Sequence, residues 1–276
     1  MSENGTTPHD GGLGGLAGGL NGQVALVTGA ARGLGRSIAA LLARDGATVY
    51  VADIDLAAAE RTTKEITERF TPAEAVEHDV RDEESSRHVV DTIVAAHGRL
   101  DILVNNAGVG PRPGPFHTLS AEEYDRVMSI NARGLFLTSK AAVPPMIERR
   151  SGRIIHISSV VAKRASPNIL PYAASKWAVV GMTQVMAREL AQYDITVNAV
   201  CPGVIRTDLH EGVVSRMSAL SGKPEDQVWG TFHDRIAFGR LQEPEDIAEM
   251  VTFLASARGR NITGSAFNVN GGMEFN

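Results

Sequence analysis

Short apolar runs alternate with longer amphipathic stretches from residue 23 to the end of the chain. This alternation is typical of a parallel sheet whose two faces are covered by helices. The predicted strands are residues 24–28, 48–52, 75–79, 102–105, 153–158, 196–200 and 266–269. The predicted helices are residues 33–45, 56–70, 83–97, 121–149, 172–192 and 244–255. The pattern therefore predicts a single doubly wound α/β domain with a seven-stranded parallel sheet.

Two segments depart from this alternation. Residues 1–20 are rich in glycine, and we expect a flexible tail ahead of a domain at residues 21–276. Residues 206–240 mix Gly, Pro, Met and Trp with short helical periods. A long irregular segment on an α/β scaffold is usually functional, so we expect a substrate lid there. Within it, Trp229 and Phe232 either line the substrate site or pack the lid.

Composition limits the partners and the compartment of the protein. The formal net charge of −5 and the lack of a basic block argue against nucleic-acid binding. No apolar run approaches the ~18 residues of a membrane span. Cys201 is the one cysteine, which excludes an intramolecular disulfide, favours a reducing cytoplasm and indicates a buried small hydrophobe. The scattered histidines and acidic residues predict no catalytic metal.

A glycine-rich turn follows the first predicted strand, with glycines at Gly29, Gly33 and Gly35. Such glycines let the backbone approach a pyrophosphate, which binds at the N-terminus of the next helix. The spacing differs from the usual dinucleotide fingerprint, and a plain turn is the alternative. Asp53, at the end of the second strand, would accept hydrogen bonds from a ribose 2′-hydroxyl and repel a 2′-phosphate, which favours NAD over NADP. Arg32 favours a phosphate instead.

Polar residues also follow the third and fourth predicted strands. The side chain of Asp79 could bond the adenine amino group, and the backbone of Asn106, Ala107 and Gly108 could line the adenine ribose. Turn chemistry is the alternative, since Asp, Asn and Gly favour turns. Ligands of open α/β sheets bind at the carboxyl ends of strands. Together with the glycine-rich turn, these residues therefore indicate a binding site at one edge of the sheet.

Tyr172 and Lys176 are four residues apart at the start of a predicted helix, and Ser159 lies thirteen residues before Tyr172. This spacing places the phenol and the ammonium on one helical face, where a positive charge can lower the pKa of the phenol. Lowering it by ~3 units takes roughly 4 kcal/mol, which one charge ~4 Å away supplies at an effective dielectric of ~20. The pair therefore indicates proton transfer at neutral pH. A half-buried aromatic residue beside a solvated charge is the alternative.

Together these residues resemble the short-chain dehydrogenase/reductase family, from residue 21 to the C-terminus. The resemblance implies a Rossmann-like subunit, an NAD(P)-dependent alcohol dehydrogenase or reductase, and a homotetramer or less often a dimer. The matched positions are Thr28, Gly29, Gly33, Gly35, Asp79, Asn105, Asn106, Ala107, Gly108, Asn131, Ser159, Tyr172, Lys176, Pro202 and Gly203.

The resemblance also implies a role for each site residue. Tyr172 would be the general acid/base, and Lys176 would lower its pKa and hold the nicotinamide ribose. Ser159, rather than Ser158, would bond the reacting carbonyl, and Asn131 would hold a water that relays protons from Lys176 to solvent. The implied cofactor contacts are Gly29, Arg32, Gly33, Leu34, Gly35, Asp53, Ile54, Asp79, Val80, Asn106, Ala107, Gly108, Tyr172, Lys176, Pro202, Gly203, Ile205 and Thr207.

The C-terminal third of the chain narrows the range of expected substrates. It is similar to the acetoin reductase, butanediol dehydrogenase and polyol dehydrogenase branch, which acts on small diols and hydroxyketones with NAD. Val160 departs from that branch, in which a polar residue stands beside the serine, and indicates a less polar or larger alcohol. Lys163 and Arg164 either attract an anionic substrate or are solvated surface charges.

We therefore expect an NAD-dependent oxidoreductase that interconverts a secondary alcohol and a ketone, with a small diol, polyol or cyclic alcohol as substrate. One alternative is an NADPH-linked ketoreductase that acts on an acyl-thioester or polyketide-like ketone. The other is a non-catalytic dinucleotide-binding protein that uses the same fold.

Overall fold

The computed structural model describes residues 19–275, apart from the side chains of Asp208 and Leu209. Residues 1–18 of the predicted tail lie outside the described residues. Leu20, which the sequence places in the tail, is buried, and its N–H donates to the Asp45 carbonyl at 3.1 Å. Leu20 is therefore part of the domain.

Seven parallel strands form one sheet, as the sequence predicts. They are β1 (Val24–Thr28), β2 (Thr48–Asp53), β3 (Ala73–Glu77), β4 (Ile102–Asn105), β5 (Gly152–Ile157), β6 (Ile195–Pro202) and β7 (Ala266–Val269). Their spatial order is β3-β2-β1-β4-β5-β6-β7. The chain reverses its direction of travel across the sheet at β1, which pairs with both β2 and β4. Ligands of doubly wound folds bind outside the carboxyl ends of the strands at such a point.

Helices cover both faces of the sheet. They are α1 (Gly33–Arg44), α2 (Leu56–Thr67), α3 (Glu83–His97), α4 (Ala121–Met128), α5 (Leu135–Arg149), α6 (Leu170–Leu190), α7 (Asp208–Ser221), α8 (Glu225–His233) and α9 (Pro244–Ala255). Side-chain oxygens of Asp55, Asp82 and Ser120 accept main-chain N–H groups at the starts of α2, α3 and α4. These caps satisfy donors that the helix itself leaves free and so mark where each helix begins.

The core lies in two layers, one on each face of the sheet. Alternate residues of β1 supply both, because side chains of a strand point to opposite faces. Ala25 and Val27 pack with residues of α1 and α9, whereas Leu26 packs with residues of α3, α5 and α6. Burying each large aliphatic side chain contributes about 1.5–3 kcal/mol. Cys201 is buried in β6, as the sequence predicts.

The prediction of one continuous helix at residues 121–149 is wrong. A π-helical segment, Ser129–Gly134, separates α4 from α5. The third strand also ends earlier than predicted, so Asp79 lies beyond β3 in the loop that leads to α3. Within the described residues, no helix is both long enough and apolar enough to cross a membrane.

Candidate active site

A cleft of about 960 Å³ lies at the carboxyl edge of the sheet. Residues that follow β1, β2, β4, β5 and β6 line it, together with residues of the lid segment. Every cofactor residue predicted from the sequence, from Gly29 to Thr207, lines this cleft, and so does Ser159. Asn131 lies behind the cleft wall and is buried. The motifs that are separate in the sequence are therefore adjacent in space.

The glycine-rich turn is pressed against the end of β4. Gly29 has a positive φ of 61°, and a Cβ there would lie 2.7 Å from the Ala107 Cα. A Cβ on Gly35 would overlap the main-chain oxygen of Gly29. Asn106 fixes this approach, because its Nδ2 donates to the main-chain oxygens of Thr28 and Gly29, both at 2.9 Å. Only glycine fits at these two positions.

The N-terminus of α1 opens into the cleft without a side-chain cap. Arg32 is its N-cap residue and makes no side-chain capping bond, and no acidic residue stands in the first turn. The free N–H groups and the helix dipole therefore favour an anion at this point. The pyrophosphate of a dinucleotide has the charge and the shape for this cradle, so the residues present fit such a cofactor.

Asp53 and Arg32 bring opposite charges to the same end of the cleft. The carboxylate of Asp53 accepts the N–H of Ala31 and the N–H of Asp55, both at 3.1 Å. These bonds hold it at the end of β2. Asp55 caps α2 by accepting the Ala58 N–H at 3.0 Å, which leaves Asp53 to line the cleft.

The carboxylate of Asp79 lines the cleft and is paired with Arg81. Arg81 binds its carboxylate through Nε at 2.9 Å and 3.1 Å and through Nη2 at 2.6 Å. This hydrogen-bonded pair lowers the pKa of Asp79 below its usual value, so that the carboxylate is charged at neutral pH. Both residues line the cleft, and Arg81 was not among the residues predicted from the sequence.

Tyr172 lies in the first turn of α6, and Lys176 follows one turn later. Lys176 is 5% exposed, and its Nζ donates to the Ile157 carbonyl at 2.8 Å. The same nitrogen lies 5.7 Å from the centre of the Tyr172 ring. Ser158 turns away and donates to the main-chain oxygen of Lys176 at 2.9 Å. This leaves Ser159 as the serine beside the phenol.

The pKa of Tyr172 shifts in the direction opposite to the expected one. Burial raises the pKa of the phenol, and the hydrogen bond with Ser159 only opposes that rise. Burial also lowers the pKa of Lys176 to about 8, because removing water disfavours the ammonium. Burial therefore outweighs any effect of the lysine charge on the pKa of the phenol. The expectation that Lys176 lowers the Tyr172 pKa is wrong for this structure.

Asn131 lies inside the π-helical segment. Its Oδ1 accepts the Val109 N–H at 2.8 Å, and its Nδ2 donates to the Val109 carbonyl at 3.0 Å and to Ser175 Oγ at 3.2 Å. The side chain thus joins the loop after β4 to α6. The π-helical turn is a local irregularity of the helix at this asparagine.

The lid residues divide into packing residues and lining residues. Trp229 and Phe232 pack with a small apolar cluster that includes Val160 and Met273. Ile205 and Thr207 line the cleft. Thr207 is the N-cap residue of α7 but makes no side-chain capping bond, so its hydroxyl is not used by the helix.

Comparison with known proteins agrees with this geometry. A family model described as Enoyl-(Acyl carrier protein) reductase matches residues 29–274. The chain belongs to the short-chain dehydrogenase/reductase family. It is 37% identical over 256 residues to 3-oxoacyl-[acyl-carrier-protein] reductase FabG of Thermotoga maritima, covering 92% of this chain and 98% of the relative. It is 40% identical over 256 residues to Oxidoreductase UcpA of Salmonella typhimurium, covering 92% and 95%.

A solved structure gives the same result for the fold. The crystal structure of levodione reductase superposes with a TM-score of 0.86 at 31% sequence identity, covering 92% of this chain and 98% of that one. None of these names refers to a diol or a polyol. The family is thus confirmed, whereas the predicted branch within the short-chain dehydrogenase/reductases is not.

Sequence reasoning missed the arginines of the cleft. Lys163 and Arg164, the candidates for binding an anion, are engaged elsewhere, with the Ala266 carbonyl at 2.9 Å and with Glu274 at 2.9 Å. In this short-chain dehydrogenase/reductase the arginines that line the cleft beyond Arg32 and Arg81 are Arg112, Arg126, Arg206 and Arg216. No local motif marks them, because they converge from distant parts of the chain.

Proposed function

We propose that this protein is a nicotinamide-dependent ketoreductase that interconverts a ketone and a secondary alcohol. The observation that carries the proposal is the position of Tyr172, Ser159 and Lys176 in the same cleft as the glycine cradle at the start of α1. Such a cleft holds a dinucleotide and a small carbonyl compound side by side. The non-catalytic alternative has no use for a buried lysine beside a phenol.

The chemistry divides between cofactor and protein. A nicotinamide cofactor bound in the cleft would supply or accept the hydride, and the protein would supply position and a proton. Ser159 donates a hydrogen bond to the substrate oxygen, and Tyr172 delivers the proton to that oxygen. Burial raises the pKa of Tyr172, so the phenol is protonated at neutral pH. A protonated phenol can serve as the acid in ketone reduction.

The substrate we propose is larger than a small diol. The names of the relatives concern a 3-oxoacyl chain in one case and levodione in the other. Val160 is an apolar neighbour of Ser159 and offers no anchor for a second hydroxyl. These observations favour the acyl-type or cyclic ketone over the diol and polyol substrates expected from the sequence.

For the cofactor, Asp53 supports NAD(H). Its carboxylate is held at the end of β2 and lines the cleft where the adenine ribose of a dinucleotide lies in such folds. A 2′-phosphate would meet this negative charge. NADP(H) is the second candidate, because Arg32 lines the same end of the cleft and no carboxylate lies within ion-pair distance of it among the described residues.

We also propose a homotetramer. Phe136, Trp177 and Val185 are 49%, 53% and 57% exposed. They lie on α5 and α6, neighbouring helices that cover one face of the sheet. Exposed large apolar side chains on neighbouring helices, here called the apolar patch, favour a protein contact. Association of α5 and α6 with their counterparts in a second subunit would cover it.

The proposed function is tested with the purified protein, both reduced cofactors and a panel of 3-oxoacyl thioesters, cyclic diketones and hydroxyketones. Oxidation of NADH or NADPH reports reduction. We expect Tyr172→Phe to lower kcat on the best ketone roughly 10²–10⁴-fold, the usual contribution of a positioned acid. Tyr193→Phe is the matched control, because it removes the hydroxyl group of a tyrosine that does not line the cleft. The proposal fails if Tyr172→Phe retains turnover within a few-fold of the wild type.

A further inference from the structure

Four arginines besides Arg32 and Arg81 line the cleft, and from this we infer that the ketone substrate carries an anionic group. The inference rests on the proposed ketoreductase function and names its substrate class. The group would be bound by Arg112 and Arg216, which line the cleft together with Arg206. A carboxylate or a phosphate would fit, because the guanidinium fork matches both.

The loop after β4 leads from the cofactor cradle to the first of these arginines. Ala107 touches Gly29, and a Cβ on the next residue, Gly108, would lie 3.7 Å from Lys176 Nζ. Arg126 Nη2 then donates to the Gly110 carbonyl at 3.0 Å, and Arg112 follows two residues later. The loop therefore runs from the glycine-rich turn, past the lysine, to a pair of arginines on the far side.

Arg112 and Arg126 share one carboxylate partner, Glu123, so the three side chains together carry a net positive charge. Glu123 accepts two bonds from Arg126, both at 2.8 Å, and its carboxylate is 7% exposed. It also accepts the Arg112 N–H at 3.0 Å, whereas the Arg112 guanidinium stays 3.6 Å away and 67% exposed. One buried carboxylate thus pairs closely with Arg126 and more distantly with Arg112, whose exposed guanidinium lines the cleft.

The lid supplies two further arginines. Arg206 lies over the Trp229 ring at 5.8 Å, and its Nε is 3.6 Å from the exposed Glu211. Arg216 donates through Nε to the Gly212 carbonyl at 2.9 Å and has no carboxylate within ion-pair distance in the part of the chain that the structure describes. Its remaining donors are free for a ligand.

Acidic side chains balance these four arginines only in part, because Glu123 and Glu211 are their two carboxylate partners among the described side chains. Among the described side chains that line the cleft, the acidic ones are Asp53 and Asp79, both at the cofactor end, and Arg81 already neutralises Asp79. His210 lines the lid side, and its Nδ1 is buried without a partner. The chain as a whole has a net charge of −5, yet arginines outnumber acidic residues among the described side chains that line the cleft. Such a cleft concentrates anions and excludes cations.

The test uses pairs of ketones that differ in charge. Acetoacetyl-coenzyme A is compared with acetoacetyl-N-acetylcysteamine, which lacks the phosphates, and 3-oxocyclohexanecarboxylate with its methyl ester. We expect kcat/KM of the wild type to be at least tenfold higher for the charged member of at least one pair, mainly through KM. The pair that shows the larger preference identifies the anionic group, which is a phosphate of the thioester carrier in the first pair and the carboxylate of a small oxo acid in the second. The preference should fall as salt is added.

Variants locate the anion site. Arg216→Gln and Arg112→Gln should each lower the charged-to-neutral ratio of kcat/KM roughly tenfold, as expected for loss of a charge-assisted hydrogen bond. Arg61→Gln is the matched control, because Arg61 is exposed on α2 and does not line the cleft. Binding of each ketone to the Tyr172→Phe variant with reduced cofactor, followed by calorimetry, reports the charge preference without turnover.

The two proposals fail in different ways. Equal reduction of charged and neutral ketones by the wild type would overturn the anionic substrate and leave the ketoreductase intact. A charge preference that survives both arginine variants would also overturn it. Reduction of no ketone by the wild type, with either cofactor, would overturn the ketoreductase and with it this inference.

Discussion

Asn131 holds Val109 through two hydrogen bonds that run in opposite directions, at 2.8 Å and 3.0 Å. Val109 is the residue that follows the Asn106-Ala107-Gly108 segment, so this link supports the wall of the cleft from behind. The π-helical segment is the local distortion that turns the asparagine toward this loop. A helical irregularity and a buried amide together thus position the loop between cofactor and substrate.

We expect Asn131→Ala to destabilise the protein by about 2–4 kcal/mol, because the partly buried N–H and carbonyl of Val109 lose their partner and the buried Ser175 hydroxyl loses a donor. Urea unfolding measures the loss. The activity should fall further than the folded fraction does, since the loop moves. Thr92→Ala, which removes an exposed bond to the His88 carbonyl, is the control and should change both by little. Full activity of Asn131→Ala would contradict this role.

A methyl group at Gly35 should prevent cofactor binding. The added Cβ would overlap the Gly29 oxygen, and the turn would have to open. We expect Gly35→Ala to weaken NADH and NADPH binding at least a hundredfold in fluorescence titrations. Gly98→Ala is the matched control: Gly98 has a positive φ of 67°, open space around it and no place in the cleft. It should cost about 1 kcal/mol of stability and leave the cofactor dissociation constants unchanged.

The sequence predicts the cradle, Asp53 and the Tyr172 pair because their signals are local. A glycine turn, a strand end and an i,i+4 spacing can each be recognised from residues that are close together in the sequence. The π-helical segment has none, since it depends on the bonds of Asn131 to a loop more than twenty residues earlier. The pKa of Tyr172 was mispredicted for a related reason: spacing shows which charge is near, whereas burial depends on the whole fold.

The arginines of the cleft show the same limit. Arg112 and Arg216 are about a hundred residues apart and lie on different elements, and no periodicity connects them. At Lys163 the sequence leaves a substrate contact and a solvated surface charge as alternatives, and in the structure the ammonium binds the Ala266 carbonyl. Long-range convergence of charge becomes visible only once the sheet brings the strand ends together.

Cofactor preference should depend on the charge of Asp53. Asp53→Asn removes the negative charge and keeps an acceptor for a main-chain N–H. We expect the ratio of the NADPH to the NADH dissociation constant to fall at least tenfold. Asp55→Asn is the control, since asparagine caps a helix equally well and Asp55 does not line the cleft. A wild type that binds NADPH more tightly would exclude NAD(H) as the preferred cofactor.

Acid should destabilise the protein through His156. Burial lowers the pKa of this histidine from 6.5 to about 3, so the unfolded chain binds the proton more readily than the folded one. Stability is therefore full above pH 6.5 and falls as the pH drops toward 3, by about 1.4 kcal/mol per pH unit for one proton. His156→Gln should flatten that slope in urea unfolding. The exposed His88→Gln is the control, and an unchanged slope in His156→Gln would exclude this origin.

The proposed tetramer predicts that charge on the apolar patch separates the subunits. Val185 is 57% exposed on α6, and Val185→Glu would place a carboxylate in the contact with a second subunit. A buried unpaired charge costs several kcal/mol, so we expect smaller species in light scattering at micromolar concentration. Leu220→Glu, at a 62% exposed position on α7, should keep the wild-type mass. A wild type that is monomeric at these concentrations would show that the patch serves another purpose.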